Sequence, residues 1–224
     1  MGNQELGVRA ATLINALKIV LHTKEVDPEF FDDCVKVASI TSVSGFGSLL
    51  EQHEEEFNGL LSHVKGCRSA LEIGSRYGKS IQRIAEQMER GSKIVSVDMP
   101  YTGGTEGLPD AEPVLRKTIA GIGAEGYEAH LFIGNSHGAD LVKAVQDLGP
   151  YDFCFIDGDH SYEGVKADWE NFGPHAKIIA FHDIINNKDC FRFWNEIKND
   201  YRHVEYTMSM WLGIGIIFRE PVIT

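Results

Sequence analysis

Short apolar runs alternate with helix-length amphipathic stretches over most of the chain from Ser69 onward. Each run is too short for a helix and is bounded by turn-forming residues, so a buried strand explains it better. Strands that alternate with helices form right-handed crossovers and a parallel sheet with helices on both faces. The predicted strands are Ala70–Ile73, Ile94–Val97, His130–Ile133, Phe153–Ile156 and Ile178–Phe181, and the predicted helices are Ser80–Met88, Val114–Ile122, Ala139–Leu148 and Tyr162–Phe172.

The two ends of the chain depart from this alternation. In residues 1–66, apolar side chains recur at helical spacing, which predicts a helical N-terminal extension that serves as a lid or as a homo-oligomer contact. Residues 67–224 form the main predicted domain. Near its end, Val204–Thr207 and Ile214–Phe218 indicate an antiparallel hairpin that completes the sheet. The predicted fold is therefore α/β, Rossmann-like and doubly wound, with a mostly parallel sheet.

Charge and apolar content exclude several classes of function. The 33 acidic and 21 basic residues leave a net charge of −12, so we expect no nucleic-acid partner. No run approaches the roughly 18 apolar residues of a membrane span, and the first residues lack the layout of a secretory signal. The four scattered cysteines form no C-x-x-C pair, which argues against a disulfide framework and against a structural zinc site. We therefore expect a cytoplasmic protein without a membrane partner.

A glycine-containing turn follows the first predicted strand, in Leu71-Glu-Ile-Gly-Ser-Arg-Tyr-Gly-Lys-Ser80. Gly74 permits a sharp turn and a close approach by a ligand, and Gly78 opens a helix whose free amides favour an anionic group. Asp98 ends the second strand, where a carboxylate can accept hydrogen bonds from both hydroxyls of a ribose. The pattern predicts a nucleoside cofactor at the carboxyl ends of these strands.

The motif Glu-Ile-Gly-x-x-x-Gly-x-Ser, followed by a strand that ends in Asp98, resembles the class I S-adenosylmethionine-dependent methyltransferases. A dinucleotide-binding turn would carry a third glycine, which this turn lacks. The resemblance implies contacts to the methionine part, the ribose and the adenine of S-adenosylmethionine. The implied residues are Glu72, Gly74, Ser75, Gly78 and Ser80 at the methionine, Asp98 at the ribose, Met99, Asn135 and Ser136 at the adenine, and Asp157 beside the amine. For Asn135, a plain strand-end turn is the alternative.

A second motif, Asp157-Gly-Asp-His-Ser-Tyr-Glu-Gly-Val-Lys-Ala-Asp168, follows the fourth predicted strand, and His182-Asp183 follows the fifth. Because neighbouring parallel strands end at the same edge of a sheet, Asp157, His182 and Asp183 could converge on one hard cation. Oxygen ligands with open positions suit Mg²⁺, which makes these three the predicted metal ligands. The alternative is that Asp157 only caps the next helix or touches the cofactor amine, and that His182 is its hydrogen-bond partner.

This second motif is similar to the O-methyltransferase branch that includes the macrolide-sugar and cephalosporin-associated enzymes. The resemblance implies O-methylation of a small hydroxylated acceptor, such as a sugar or a natural product. It also implies a catalytic base at His160 or Asp159. We favour His160, because imidazole titrates near neutral pH, and a helix-capping or buried histidine is the alternative. A bound Mg²⁺ would lower the pKa of the acceptor hydroxyl.

Three other functions are compatible with parts of the sequence. One is a metal-independent N-methyltransferase, and another is a cofactor-binding module without turnover. The third follows from Tyr162-x-x-x-Lys166, which has the spacing of the catalytic pair of short-chain dehydrogenases. That pair follows the fourth strand immediately here, and the glycine pattern of those enzymes is absent, so we expect Tyr162 to line the pocket instead.

Overall fold

The computed structural model describes residues 53–99, 111–208 and 212–219. Most of the predicted N-terminal extension, residues 1–52, lies outside this range. No helix within the described range is both long and apolar enough to cross a bilayer.

The described residues form helices and strands that alternate along the chain. The helices are α1 (Glu54–Ser62), α2 (Lys79–Glu86), α3 (Ala111–Ala124), α4 (Ala139–Asp147), α5 (Tyr162–Phe172) and α6 (Lys188–Ile197). The strands are β1 (Ser69–Ile73), β2 (Lys93–Asp98), β3 (Glu128–Ile133), β4 (Tyr151–Ile156), β5 (Ala176–Phe181), β6 (Arg202–Tyr206) and β7 (Ile214–Phe218).

The strands form one seven-stranded sheet in the order β3-β2-β1-β4-β5-β7-β6. Strands β1 to β5 are parallel, and β7 runs antiparallel to both β5 and β6. The chain moves outward from β1 to β3 and then returns to β4 on the other side of β1. Ligands of such sheets bind where this order reverses, at the carboxyl ends of β1 and β4. The predicted doubly wound fold with a C-terminal antiparallel pair is confirmed.

The central strands are buried on both faces because helices cover the two sides of the sheet. Ala70 and Phe153 belong to the core that contains buried residues of α1, α2 and α3. Their strand neighbours Leu71 and Cys154 belong to the core that contains buried residues of α4, α5 and α6. This two-sided burial explains why these strands read as continuous apolar runs in the sequence.

Helix α1 is the described end of the predicted N-terminal extension, and it packs in the main core. Phe57 and Leu60 are fully buried in the core beneath the sheet. Glu56 is buried as well, and its Oε2 accepts a hydrogen bond from the backbone nitrogen of Gly213, just before β7. The lid or oligomer role of the extension, residues 1–66, stays a prediction.

Candidate active site

The turn after β1 is shaped by the close approach of another backbone segment. Gly74 has a φ of +91°, and its N–H donates to the carbonyl oxygen of Val97 over 2.8 Å. A Cβ atom at Gly74 would overlap the carbonyl group of Asp157. The glycine is therefore required by the chain itself, because only glycine lets the loops after β1 and β4 meet.

Helix α2 begins without a capping side chain. Gly78 precedes it with a φ of +79°, and no side-chain hydrogen bond caps the helix there. A Cβ atom at this position would lie 2.9 Å from Cγ2 of Thr118. The first-turn amides of α2 are thus not satisfied by a cap, which leaves them for an anionic ligand such as a carboxylate.

Glu72, near the end of β1, is a buried carboxylate without a partner. Its side chain is fully buried, and neither carboxylate oxygen makes a hydrogen bond within the described residues. Burial raises its pKa to about 8, although the nearby hydroxyl groups of Ser80 and Ser75 oppose this shift. Burial of an unpaired carboxylate is costly, and a ligand ammonium group would relieve that cost. Glu72 therefore fits the amine of an amino-acid ligand.

The raised pKa of Glu72 predicts a pH-dependent loss of stability. Between pH 4.5 and about 8, the unfolded chain ionises this carboxyl group while the folded chain keeps it protonated. Stability therefore falls as the pH rises through this window. We expect Glu72→Gln to raise the free energy of unfolding by on the order of 3 kcal/mol at pH 8, and by almost nothing at pH 4.5.

Urea denaturation at the two pH values measures this difference. Glu89→Gln is the control, because that side chain is mostly exposed. A stabilisation by Glu72→Gln that is equal at both pH values would contradict the assignment.

Asp98 lies at the carboxyl end of β2, beside the turn after β1. It is 8% exposed, and its Oδ2 accepts a hydrogen bond from the backbone nitrogen of Arg76 over 2.6 Å. Burial raises its pKa, and the backbone and charge of Arg76 oppose this. The next residue, Met99, is 68% exposed. An acceptor for ribose hydroxyls and an apolar side chain for a base therefore stand side by side, as a nucleoside requires.

A contact between a half-buried histidine and a buried carboxylate supports the loop after β3. Asn135 Oδ1 accepts a hydrogen bond from the backbone nitrogen of His137, which is the strand-end turn considered as its alternative. His137 Nε2 lies 3.2 Å from Oδ1 of Asp168, which is fully buried on α5. Burial raises the pKa of Asp168 to about 6, against the effects of Ser136 and His137. Sequence reasoning missed this pair, whose only signal was the place of Asp168 in the second motif.

Four polar side chains at the carboxyl ends of β4 and β5 form one network. Asp157 Oδ1 lies 3.0 Å from His182 Nδ1 and 3.2 Å from His160 Nε2. Asp183 Oδ2 lies 2.9 Å from His160 Nδ1. Because β4 and β5 are neighbours, Asp157 and His182 stand side by side, and His160 reaches them from the loop after β4. The structure thus brings these four predicted site residues together.

Opposite charges dominate the electrostatics of this network. Burial raises the pKa of Asp157, but the neighbouring His182 and His160 outweigh burial and hold that pKa well below its usual range. Burial lowers the pKa of His160, but hydrogen bonds to Asp157 and Asp183 outweigh it and raise the pKa to about 10. The pKa of His182 is raised in the same way, chiefly by Asp157 against the effect of burial. Both imidazoles are stabilised as cations.

The loop after β4 distinguishes His160 from its neighbour Asp159. Asp159 Oδ1 accepts a hydrogen bond from the backbone nitrogen of Ser161, and the side chain packs where Gly164 has no Cβ atom. Ser161 in turn caps α5, because its Oγ accepts from the backbone nitrogen of Gly164 over 3.1 Å. Asp159 therefore shapes the entry into α5, while His160 contacts the polar network.

The donor atoms that converge in this network differ from the predicted metal ligands. One ligand atom from each of Asp157, His160 and His182 lies within 4.8 Å of the other two. The carboxylate of Asp183 instead contacts Nδ1 of His160, whereas Nε2 of that ring faces Asp157. Two imidazoles and one carboxylate do not fit Mg²⁺, which prefers an all-oxygen shell. No step proposed below uses Mg²⁺.

The dehydrogenase-like pair makes other contacts. The hydroxyl of Tyr162 donates to Oε2 of Glu196 over 2.7 Å, and the guanidinium of Arg192 lies over its ring. Lys166 Nζ lies 4.0 Å from Glu170, one turn along the same helix. Tyr162 and Lys166 are therefore engaged in surface contacts of α5 and α6.

Comparisons with known proteins agree with this geometry. No curated protein has a significantly matching sequence. The solved structures that share the fold include two O-methyltransferases with a bound cofactor or its product. The O-methyltransferase from Bacillus cereus in complex with SAH is 15% identical, with a TM-score of 0.56 over 90% of this chain and 96% of that chain. The O-methyltransferase TomG from Streptomyces achromogenes, involved in tomaymycin synthesis and bound to SAM, is 12% identical, with a TM-score of 0.58 over 92% and 96%.

A family model assigns the chain to a family, which solved structures of such low sequence identity cannot do. The model described as a methyltransferase domain matches residues 71–184, which is just over half of the chain. The match begins in β1 and ends one residue after Asp183, so it contains the glycine turn, Asp98 and the whole polar network. The chain belongs to this methyltransferase domain family and is an S-adenosylmethionine-dependent methyltransferase.

Proposed function

We propose that the protein transfers a methyl group to a hydroxyl oxygen of a small acceptor, such as a sugar or a natural product. The network of Asp157, His160, His182 and Asp183 is the observation that carries this proposal. It lies at the ends of β4 and β5, and the loop that holds it contacts the turn at Gly74. The similar solved proteins that are named O-methyltransferases support the same chemistry, and the second motif favours the macrolide-sugar and cephalosporin-associated branch.

The cofactor site is assigned from polar groups at the ends of β1, β2 and β3, among which the carboxylate of Glu72 makes no hydrogen bond within the described residues. Glu72 would hold the methionine amine, with Ser75, Ser80 and the amides around Gly74 and Gly78 completing that pocket. Asp98 would bind the ribose of the cofactor. Met99, Asn135 and Ser136 would contact its adenine. When bound, S-adenosylmethionine supplies an electrophilic methyl carbon.

Removal of the acceptor's proton falls to His160. The acceptor oxygen forms a bond to the methyl carbon as the carbon–sulfur bond breaks, and the hydroxyl proton must then leave. The side chain of His160 is 36% exposed, so an acceptor can reach it. Asp157 and Asp183 stabilise the imidazolium that results from proton uptake. Because the pKa of His160 is about 10, the neutral form that accepts a proton increases as the pH rises above neutral.

The test of O-methylation uses the purified chain with methyl-labelled S-adenosylmethionine at about pH 8.5. Matched acceptor panels contain sugars and phenolic natural products, and their amino-substituted counterparts. We expect label transfer to hydroxylated acceptors, with a methyl ether identified by mass spectrometry. Transfer to amines alone would show N-methylation, and cofactor binding without transfer to either panel would indicate a binding module. Either result would overturn the proposal.

The ribose assignment predicts a large effect at Asp98. We expect Asp98→Ala to weaken S-adenosylhomocysteine binding by about 10²-fold to 10³-fold, because two hydrogen bonds to a charged acceptor are lost. Isothermal titration calorimetry measures the dissociation constant. Asp147→Ala, on the exposed end of α4 where Asp147 contacts Lys143, is the matched control and should bind as the parent does. Equal affinity of the Asp98 variant and the control would exclude this role.

A further inference from the structure

The donor atoms in the polar network match one class of metal ion better than Mg²⁺. Nδ1 of His182 and Nε2 of His160 lie 3.0 Å and 3.2 Å from Oδ1 of Asp157. Ligand atoms about 2.0–2.2 Å from a Zn²⁺ ion are roughly 3 to 3.5 Å apart. The two measured distances therefore fit ligands that share one ion. Two imidazoles with one carboxylate are typical of Zn²⁺ and of similar first-row transition-metal ions.

The buried ring of His182 is a second indication, because its Nδ1 lies 3.0 Å from Oδ1 of Asp157 and 3.5 Å from Oδ1 of Asp183. The side chain is only 5% exposed, and neither ring nitrogen makes a hydrogen bond within the described residues. A buried ring nitrogen that makes no hydrogen bond is costly, and a metal ion held jointly with Asp157 would satisfy Nδ1.

Asp183 contacts His160, one of the three candidate metal ligands, on the side of the ring that faces away from Asp157. Its Oδ2 lies 2.9 Å from Nδ1 of His160, which leaves Nε2 of the same ring facing Asp157. Metal-binding histidines commonly donate their second ring N–H to a carboxylate in this way, which fixes the tautomer and the ring orientation. Asp183 has a φ of +56°, a left-handed backbone conformation that residues other than glycine rarely adopt.

We propose that Asp157, His160 and His182 form a binding site for Zn²⁺ or a similar transition-metal ion, and that its occupation inhibits methyl transfer. The binding site stands on the geometry alone. The inhibition rests on the proposed function, because an imidazole with an ion on Nε2 and an Nδ1–H that donates to Asp183 has no nitrogen left to accept the acceptor's proton. Mg²⁺ should neither bind tightly nor inhibit.

The test is a titration of chelator-treated, full-length protein with Zn²⁺, Co²⁺ and Mg²⁺. Calorimetry measures Zn²⁺ and Mg²⁺ binding, and the visible absorption of Co²⁺ reports imidazole ligands and a low coordination number. We expect His182→Ala to weaken Zn²⁺ binding by at least about 100-fold and to abolish the Co²⁺ bands, and Asp183→Asn to weaken binding by about 10-fold to 100-fold. His175→Ala is the matched control, because His175 precedes β5 at the opposite end of that strand.

Each outcome distinguishes this inference from the proposed function. Circular dichroism verifies folding, and His160→Ala on the half-exposed loop replaces His182→Ala if the latter does not fold. Zn²⁺ binding that is unchanged in both variants would overturn the site, even if methyl transfer proceeds. Activation of methyl transfer by Zn²⁺ would overturn the inhibition. Site-dependent binding without transfer to any hydroxylated acceptor would support the site and contradict O-methylation.

Discussion

Replacement of His160 by alanine is expected to lower kcat for methyl transfer by about 10²-fold to 10⁴-fold, the usual contribution of a positioned proton acceptor. Cofactor affinity should stay within about twofold, because His160 is not among the residues assigned to the cofactor. His160 is suited to this role by its position between Asp157 and Asp183, which stabilise the protonated ring. A loss in kcat without a loss of cofactor affinity would show that His160 acts in proton removal and not in cofactor binding.

The His160 prediction is checked by steady-state kinetics with chelator present, together with calorimetry of S-adenosylhomocysteine. His175→Ala is the matched histidine control. Asp159→Asn tests the competing base, since an asparagine side chain can still accept the hydrogen bond from Ser161. If His160→Ala kept more than about a tenth of the parent activity, or if Asp159→Asn lost as much as His160→Ala should, the base would lie elsewhere.

Gly74→Ala is expected to cost at least about 3 kcal/mol of unfolding free energy. The backbone conformation at φ +91° contributes about 1–2 kcal/mol for an L side chain. The remainder comes from overlap of the new Cβ atom with the backbone of Asp157, which cannot move without displacing the end of β4. Because that loop carries His160, the variant should also lose methyl transfer.

Gly66→Ala isolates the steric part of this effect. Gly66 has a φ of +90°, but a Cβ atom there meets nothing within 4 Å. We therefore expect Gly66→Ala to cost only about 1–2 kcal/mol. Urea denaturation of both variants gives the comparison. Equal losses in the two variants would mean that backbone strain at Gly74, rather than contact between the loops after β1 and β4, causes the loss of stability.

Helices were less fully predictable than strands. Helix α5 matches its predicted range, Tyr162–Phe172, because Ser161 caps its start and its apolar spacing is clear. Helix α6 was not predicted, although Cys190, Phe193 and Trp194 recur at helical spacing and are buried. Its start is marked by Asn187, whose side chain accepts hydrogen bonds from two backbone amides, a signal present in the sequence.

The sequence by itself determined that the chain forms a mostly parallel sheet, and at which edge of that sheet the site residues lie. Buried strands leave an apolar pattern of fixed period, and neighbouring parallel strands must end together, so Asp98, Asp157 and His182 could be placed before any coordinates. Only the tertiary structure decided that β7 lies between β5 and β6, that Gly74 meets the Asp157 backbone, and that His160 rather than Asp159 contacts the polar network. Those outcomes depend on loop conformation and on side-chain directions between segments distant in the chain, which local residue patterns do not encode.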